Sequence, residues 1–148
     1  MAKKNVRVKR ESVEGLLNDL IKQAEYINSC SDKTVFPFTV KKLWVFGSYL
    51  NSEKSHLGDI DIFYHLECRW PIEEVAEMSN YYLERDQPHT PPGDGGILGR
   101  LEYPETITLK FLRNKHSSFS FMPFGNKKFF KKDPERKLIT KLIYEYND

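Results

Sequence analysis

The sequence predicts an α+β domain in which a mixed β-sheet carries its helices mainly on one face. Two apolar runs of strand length, residues 40–46 and 59–66, supply the centre of the predicted sheet. Apolar residues recur with helical spacing over 13–27, which gives a helix with one face ready to cover that sheet. The 148 residues are enough for one sizeable core, so we expect a single domain over 1–148.

The N-terminal part of the chain predicts a basic head followed by an amphipathic helix. Residues 1–10 are rich in Lys and Arg, and we expect this head to be flexible. Ser12 is a suitable N-cap for the helix that follows. The apolar face of this helix consists of Val13, Leu16, Leu17, Leu20, Ile21, Ala24 and Ile27.

Two short polar motifs lie at the ends of the apolar runs that face each other in the sequence, one after the first run and one at the start of the second. Gly47-Ser48 ends the first strand, and a Gly-Ser turn after a buried strand can present backbone N–H groups to a phosphate. A short helix is predicted within 49–55. Asp59 and Asp61 lie on one face if 59–66 is a strand, because side chains alternate with period two. Two adjacent carboxylates repel each other unless a hard cation joins them, so these motifs together predict phosphoryl or nucleotidyl transfer.

The second half of the chain predicts a helix, a long loop, a hairpin and a last helix. Pro71 suits the first position of a helix with an apolar inner face. The Pro- and Gly-rich segment 86–99 predicts a mobile flap near the site. Alternation over 106–112 and 117–122 predicts two strands of a hairpin, and 133–146 predicts a helix capped by its first Asp.

The motif at the centre of the chain resembles the signature of the DNA polymerase beta-like nucleotidyltransferase superfamily. It reads Phe46-Gly47-Ser48, then the ten-residue spacer 49–58, then Asp59-Ile60-Asp61-Ile62. The clear similarity covers residues 43–66, and the small size of the chain points to the minimal, stand-alone nucleotidyltransferase branch. The resemblance implies the nucleotidyltransferase fold.

The resemblance also implies a reaction and the residues that would perform it. A nucleoside triphosphate would be bound by Gly47 and Ser48, and Mg²⁺ or Mn²⁺ by Asp59 and Asp61. The nucleoside monophosphate would then pass to a hydroxyl acceptor with release of pyrophosphate. The acceptor stays open among a small molecule, an RNA end and a protein side chain.

Active members of the superfamily usually carry a third carboxylate on a later strand beside the Asp-x-Asp strand. No Asp occurs over 106–122, and Glu102, in a predicted short strand 99–103, is the best catalytic replacement, with Glu105 second. This departure leaves an alternative open, a catalytically degraded module that binds a partner protein, in the manner of an antitoxin, or nucleic acid. Nucleic acid would be bound by the basic segment 127–137 with its two phenylalanines.

Composition excludes several classes of protein without choosing the substrate. A net charge of +2 says little about partners, and no apolar run is long enough to cross a membrane. No signal-peptide pattern follows the first Met. The two cysteines, Cys30 and Cys68, form neither a disulfide framework nor a metal motif. We therefore expect a cytoplasmic protein.

Overall fold

The computed structural model describes residues 8–88, 96–125 and 139–147, and it confirms the α+β class. Helices and strands alternate irregularly along the chain. In chain order the described elements are β1 (Val8–Lys9), α1 (Arg10–Ser29), β2 (Phe38–Phe46), α2 (Ser48–Asn51), β3 (His56–Leu57), β4 (Ile60–Cys68), a 3-10 turn (Ile72–Glu74), α3 (Val75–Asp86), α4 (Gly96–Arg113), β5 (Phe119–Pro123) and β6 (Thr140–Glu145).

The main sheet has four strands in the order β5-β4-β2-β6. The two strands predicted from the apolar runs, β2 and β4, are neighbours at its centre, as predicted, and they run antiparallel. Strand β6 is antiparallel to β2, whereas β5 runs parallel to β4. The sheet is therefore mixed. A separate ladder pairs β1 with β3, so the start of the described chain is tied to the segment between α2 and β4.

The core lies between one face of the sheet and the helices α1 and α4. Alternate positions of β2 and β4 point into it, so that Val45 lies opposite Ile62 and Leu43 opposite Tyr64. The other sheet face carries aromatic rings: Phe46 stacks on Phe63 with centroids 3.8 Å apart. The fully buried side chains of the core include Val13, Leu20, Ala24, Ile27, Val40, Leu43, Val45, Ile60, Ile62 and Leu112.

Helix α1 is the predicted amphipathic helix, and it begins at Arg10 rather than after Ser12. The buried side chain of Asn28, near the end of α1, joins this helix to the sheet. The Asn28 amide donates to Val40 O (2.9 Å) and accepts from Val40 N (2.9 Å), beyond the last residue that β6 pairs. It also donates to the Tyr144 hydroxyl (2.8 Å). Asn28 thus replaces a strand partner for a buried piece of backbone.

The hairpin predicted over 106–122 is wrong in its first strand. Residues 106–113 belong to α4, and only Phe119–Pro123 is a strand. Thr108 and Leu112 are buried one helical turn apart, and the Thr108 hydroxyl donates to Pro104 O (2.8 Å). In this segment Thr and Lys alternate with apolar residues, which is the pattern typical of a strand. The segment is nevertheless helical, because as a helix it packs against α1.

The predicted last helix is wrong over the residues that the structure describes there. Thr140–Glu145 is the edge strand β6, and residues 133–138 lie outside the described ranges. Leu142 is 45% exposed. Pairing with β2 decides the structure of this segment, because β2 supplies hydrogen-bond partners for its backbone.

Three other predictions fall wholly or partly on residues outside the description. Outside the description lie residues 1–7 of the basic head, residues 89–95 of the predicted flap, and residues 126–138, which contain the whole basic segment. At the described end of the head, Val8 and Lys9 pair with β3. The last four residues of the predicted flap, 96–99, are helical, because α4 begins at Gly96. No helix in the described part of the chain is both long and apolar enough to cross a membrane.

We predict that Asn28→Ala lowers the free energy of unfolding by about 3 kcal/mol. The change leaves the N–H and C=O of the fully buried Val40 without their partners, and each unsatisfied group costs about 1–3 kcal/mol. Urea denaturation measures the difference. Asn18→Ala, on the exposed side of the same helix, is the matched control. Equal effects of the two substitutions would contradict the role assigned to Asn28.

Candidate functional site

The Gly47 turn is built on a backbone conformation that suits only glycine. Gly47 joins β2 to α2 with φ 81° and ψ −147°, a region that residues with a side chain avoid. Its carbonyl accepts from Leu50 N (3.0 Å), and the Ser48 carbonyl accepts from Ser52 N (3.1 Å). The predicted turn is therefore present, and the helix after it is shorter than predicted, ending at Asn51.

The Asp61 carboxylate lies directly against this turn. A Cβ atom on residue 47 would overlap Asp61 Oδ2 and would lie 3.2 Å from its Cγ. The register of β2 and β4 causes the contact, because Phe46, the last residue of β2, is paired with Asp61. The absent side chain of Gly47 thus has two functions: it permits the turn, and it leaves room for a carboxylate.

Burial and a neighbouring carboxylate make Asp61 difficult to ionise. They raise the pKa of its carboxyl from 3.8 to about 6, with burial the larger cause and the charge of Asp59 the second. Phe46 lies beside Asp61 on β2 and provides an apolar neighbour. Asp59 itself is exposed and immediately precedes β4. The predicted pair is therefore one half-buried and one exposed carboxylate, close enough to repel.

This donor set fits a magnesium or manganese ion that shares its coordination with phosphate. Mg²⁺ is usually held by one or two carboxylates together with substrate phosphates and water. A cation between Asp59 and Asp61 would remove the repulsion that raises the Asp61 pKa. Ser48 follows Gly47 as the first residue of α2 and is exposed. The turn and both aspartates are thus brought to one end of the sheet.

A third carboxylate is not part of this cluster. Strand β5 lies parallel beside β4, and its residue opposite Asp61 is Ser120. Within residues 8–88, 96–125 and 139–147, no group of three His, Cys, Asp or Glu side chains is placed to hold a metal ion. The neighbouring strand therefore offers a hydroxyl where the superfamily resemblance leads us to expect a carboxylate.

Glu102 and Glu105 lie on α4, away from this cluster. The predicted strand over 99–103 is wrong, since these residues are helical, and the Glu102 side chain is exposed. Glu105 accepts a hydrogen bond from the Tyr64 hydroxyl (2.5 Å). Tyr64 points to the helix-covered face, whereas Asp61, three residues earlier, points to the other. The structure does not bring Glu102 to Asp61, and a catalytic role for Glu102 stays a prediction.

Burial and the Glu105 carboxylate raise the pKa of the Tyr64 hydroxyl, with burial the larger cause. This hydroxyl therefore stays protonated and acts as a donor to α4. A Tyr–Glu bond of this kind fastens a helix to the sheet. Glu105, the second candidate for the third carboxylate, already has a structural partner.

A wide groove of about 980 Å³ lies elsewhere, along α4 and the end of α3. Tyr103, Ile107 and Lys110 are among its lining residues, and none of the predicted site residues is. The size of this groove does not by itself assign it a reaction. Its acidic residue, Asp86, is already hydrogen-bonded to Arg85 (2.7 Å) and Tyr103 (2.9 Å). We therefore keep the turn and the two aspartates as the candidate site.

Sequence reasoning missed two residues of this region. Arg10 was assigned to the flexible head, yet its guanidinium binds the segment that follows Gly47-Ser48. Its partners are backbone carbonyls about forty residues away, for which one sequence holds no signal. Ser120 was placed on a strand, but its position opposite Asp61 depends on the pairing of β5 with β4.

Comparison of the chain with protein-family models, with curated proteins and with solved structures found no match.

We predict that Gly47→Ala lowers the free energy of unfolding by at least about 2 kcal/mol, through backbone strain and overlap with Asp61. Chemical denaturation measures the loss. Gly58→Ala, at the end of the spacer that follows the turn, is the control, because no atom lies within 4 Å of its added Cβ and its φ is not positive. The double variant Gly47→Ala/Asp61→Gly should recover only the steric part. A Gly47→Ala protein as stable as Gly58→Ala would contradict this geometry.

We predict that Asp61 makes stability depend on pH. Because its folded pKa of about 6 exceeds the usual 3.8, the folded state keeps this proton to higher pH than the unfolded state. Its contribution to stability is therefore full below about pH 4 and is lost as pH rises to about 6.

Without divalent metal, Asp61→Asn should therefore gain stability relative to the wild type as the pH rises through this window. For a half-exposed group screened by solvent, we expect a gain on the order of 1 kcal/mol. Urea denaturation at several pH values tests this. Glu67→Gln, which removes an exposed carboxylate at the other end of β4, is the control for the loss of a charge from this strand. A pH-independent difference for Asp61→Asn would contradict the raised pKa.

Proposed function

We propose that this chain is a metal-dependent nucleotidyltransferase, which transfers a nucleoside monophosphate from a nucleoside triphosphate to a hydroxyl acceptor. The observation that carries the proposal is the contact between the Gly47 turn and the Asp61 carboxylate. It joins a turn suited to phosphate with a carboxylate pair suited to Mg²⁺ or Mn²⁺, which is the combination that this transfer needs. The acceptor stays open among the small-molecule, RNA and protein classes.

Each residue has a defined task in this proposal. Asp59 and Asp61 hold the cation, and ionisation of Asp61 is favoured once the cation offsets the charge of Asp59. Gly47 and Ser48 hold the triphosphate through backbone N–H groups and the exposed Ser48 hydroxyl. The bound cation would supply charge neutralisation of the triphosphate. Positioning and electrostatics then account for catalysis, without a covalent intermediate on the protein.

One observation favours a second candidate function. Ser120, rather than a carboxylate, lies opposite Asp61 on the neighbouring strand. A chain of this kind would bind nucleotide and metal without transfer, and would act by binding a partner protein, in the manner of an antitoxin, or nucleic acid. The two candidates share the binding site and differ in turnover.

The test of the binding site is thermal unfolding with Mn²⁺ and each of the four non-hydrolysable nucleoside triphosphate analogues. We expect at least one analogue to raise Tm in the presence of Mn²⁺, because a ligand that binds only the folded state stabilises it. Asp61→Asn should lose this effect, while Glu67→Gln should keep it. Retention of the full effect by Asp61→Asn, or no effect in the wild type, would overturn the proposed site.

Turnover separates the two candidates. Pyrophosphate release would be followed with separate RNA, protein and small-molecule fractions as acceptors, which also assigns the acceptor class. Release by the wild type that is lost in Asp61→Asn supports the transferase. Binding without release by the wild type, together with release by Ser120→Asp, would instead identify a degraded site that lacks only its third carboxylate.

A further inference from the structure

The segment that follows the Gly47 turn is held by one side chain from the start of α1. The Arg10 guanidinium donates to three backbone carbonyls: Nη1 to Tyr49 O (2.9 Å), Nη2 to Ser52 O (2.5 Å) and Nε to Lys54 O (2.7 Å). It also lies over the Tyr49 ring, 5.1 Å from the centroid. The backbone N–H of Arg10 adds a bond to Ser55 O (2.8 Å).

Convergence of these three carbonyls needs a multivalent donor. Carbonyl dipoles that point to one place repel each other, and a planar guanidinium with five N–H groups satisfies them together. Residues 49–54 contain only the single turn α2, which is too short to be stable alone. The path of the chain after Ser48 is therefore set by contacts outside the segment: by Arg10, by the β1–β3 ladder and by the packing of Tyr49 and Leu50 against the core.

The position of the turn follows from this path. Gly47 is fixed on one side by Phe46, which is paired in the sheet, and on the other side by α2. If α2 were released, the Gly47-Ser48 turn would lose its place against Asp61, whereas Asp61 itself would stay fixed within β4. Arg10 thus acts on the phosphate half of the candidate site and not on the carboxylate half.

We propose that Arg10 is a positioning residue for nucleotide binding: by holding carbonyls 49, 52 and 54 it places the Gly47-Ser48 turn against the aspartates. This inference rests on the proposed function and deepens it, because it makes the N-terminal segment a determinant of nucleotide affinity. Arg10 contacts no nucleotide in this role and acts only through the segment that it holds.

The chain offers a matched control for a merely structural arginine. Arg69 donates to Cys30 O (2.6 Å), Ile27 O (3.0 Å) and Phe36 O (3.1 Å). It follows Cys68, the last residue of β4, which lies seven residues from Asp61, roughly 23 Å along the strand at about 3.3 Å per residue. Arg69→Met removes the same kind of contact as Arg10→Met, but at a distance from the candidate site.

The experiment compares wild type, Arg10→Met, Arg10→Lys and Arg69→Met by two measurements. Hydrogen exchange follows the amides of Leu50 and Ser52, which close α2. Titration calorimetry gives Kd for Mn²⁺ alone and for a Mn²⁺-bound non-hydrolysable nucleotide. We expect Arg10→Met to speed exchange at both amides by at least about tenfold more than Arg69→Met, and to raise the nucleotide Kd at least about tenfold.

Mn²⁺ binding without nucleotide should change less than about twofold in either arginine variant, since the aspartates stay in place. Arg10→Lys should recover the nucleotide Kd only in part, because a compact ammonium lacks the planar, spread-out donors with which the guanidinium reaches all three carbonyls. This split between metal and nucleotide affinity separates positioning from a general loss of stability.

Two outcomes overturn the role of Arg10 while the proposed function stands. Either Arg10→Met and Arg69→Met raise the nucleotide Kd equally, or Arg10→Met speeds exchange of α2 without changing that Kd. A wild type that binds Mn²⁺ but no nucleotide overturns the proposed function, and the nucleotide role of Arg10 with it. In that case the exchange data still decide whether Arg10 holds the turn.

Discussion

The antiparallel register of β2 and β4 is the constraint on which the candidate site depends. It places Phe46 opposite Asp61, so that the residue after Phe46 must leave the strand beside a carboxylate. Only glycine meets both demands of that position, a φ of 81° and space where a Cβ would overlap Asp61. A register shift of one residue would turn Asp61 toward the core and Ile60 and Ile62 away from it. The packing of the core and the geometry of the site therefore enforce the same alignment.

Two arginines bind the backbone segments at the two ends of the β2–β4 strand pair. Arg10 binds carbonyls of the segment after β2, and Arg69 binds carbonyls at the end of α1 and before β2. Both replace regular secondary structure where the backbone turns, because a guanidinium can satisfy several acceptors that no strand or helix reaches. Asn28 meets the same need at Val40 with a side-chain amide. Hydrogen bonds from side chains distant in the chain to backbone groups thus hold connecting segments that lack regular secondary structure of their own.

Ionised Asp61 is unfavourable for the fold, and under the proposed function a bound cation would offset this cost. Asp61 lies beside Phe46 and near Asp59, and burial together with that charge raises its pKa to about 6. An apolar residue there would ease folding but could not bind a cation. Perturbed carboxylates of this kind are concentrated at functional sites, because the ligand supplies the charge that the fold withholds. The Tyr64–Glu105 bond shows the contrasting case, in which the raised pKa belongs to a structural contact between sheet and helix.

The sequence by itself determined the elements whose signals are local. The helical stripe of α1, the apolar strands β2 and β4, and the Gly-Ser and Asp-x-Asp motifs at their ends were all predictable, because period and turn chemistry are written in neighbouring residues. The class of the fold followed from them.

Only the tertiary structure decided the other elements. It made 106–113 a helix by packing it on α1, and it made 140–145 a strand by pairing it with β2. It put Ser120 beside Asp61 and brought Arg10 to carbonyls about forty residues away. In each case the deciding partner is distant in the chain, so local preference was overruled by contacts that no sequence window contains.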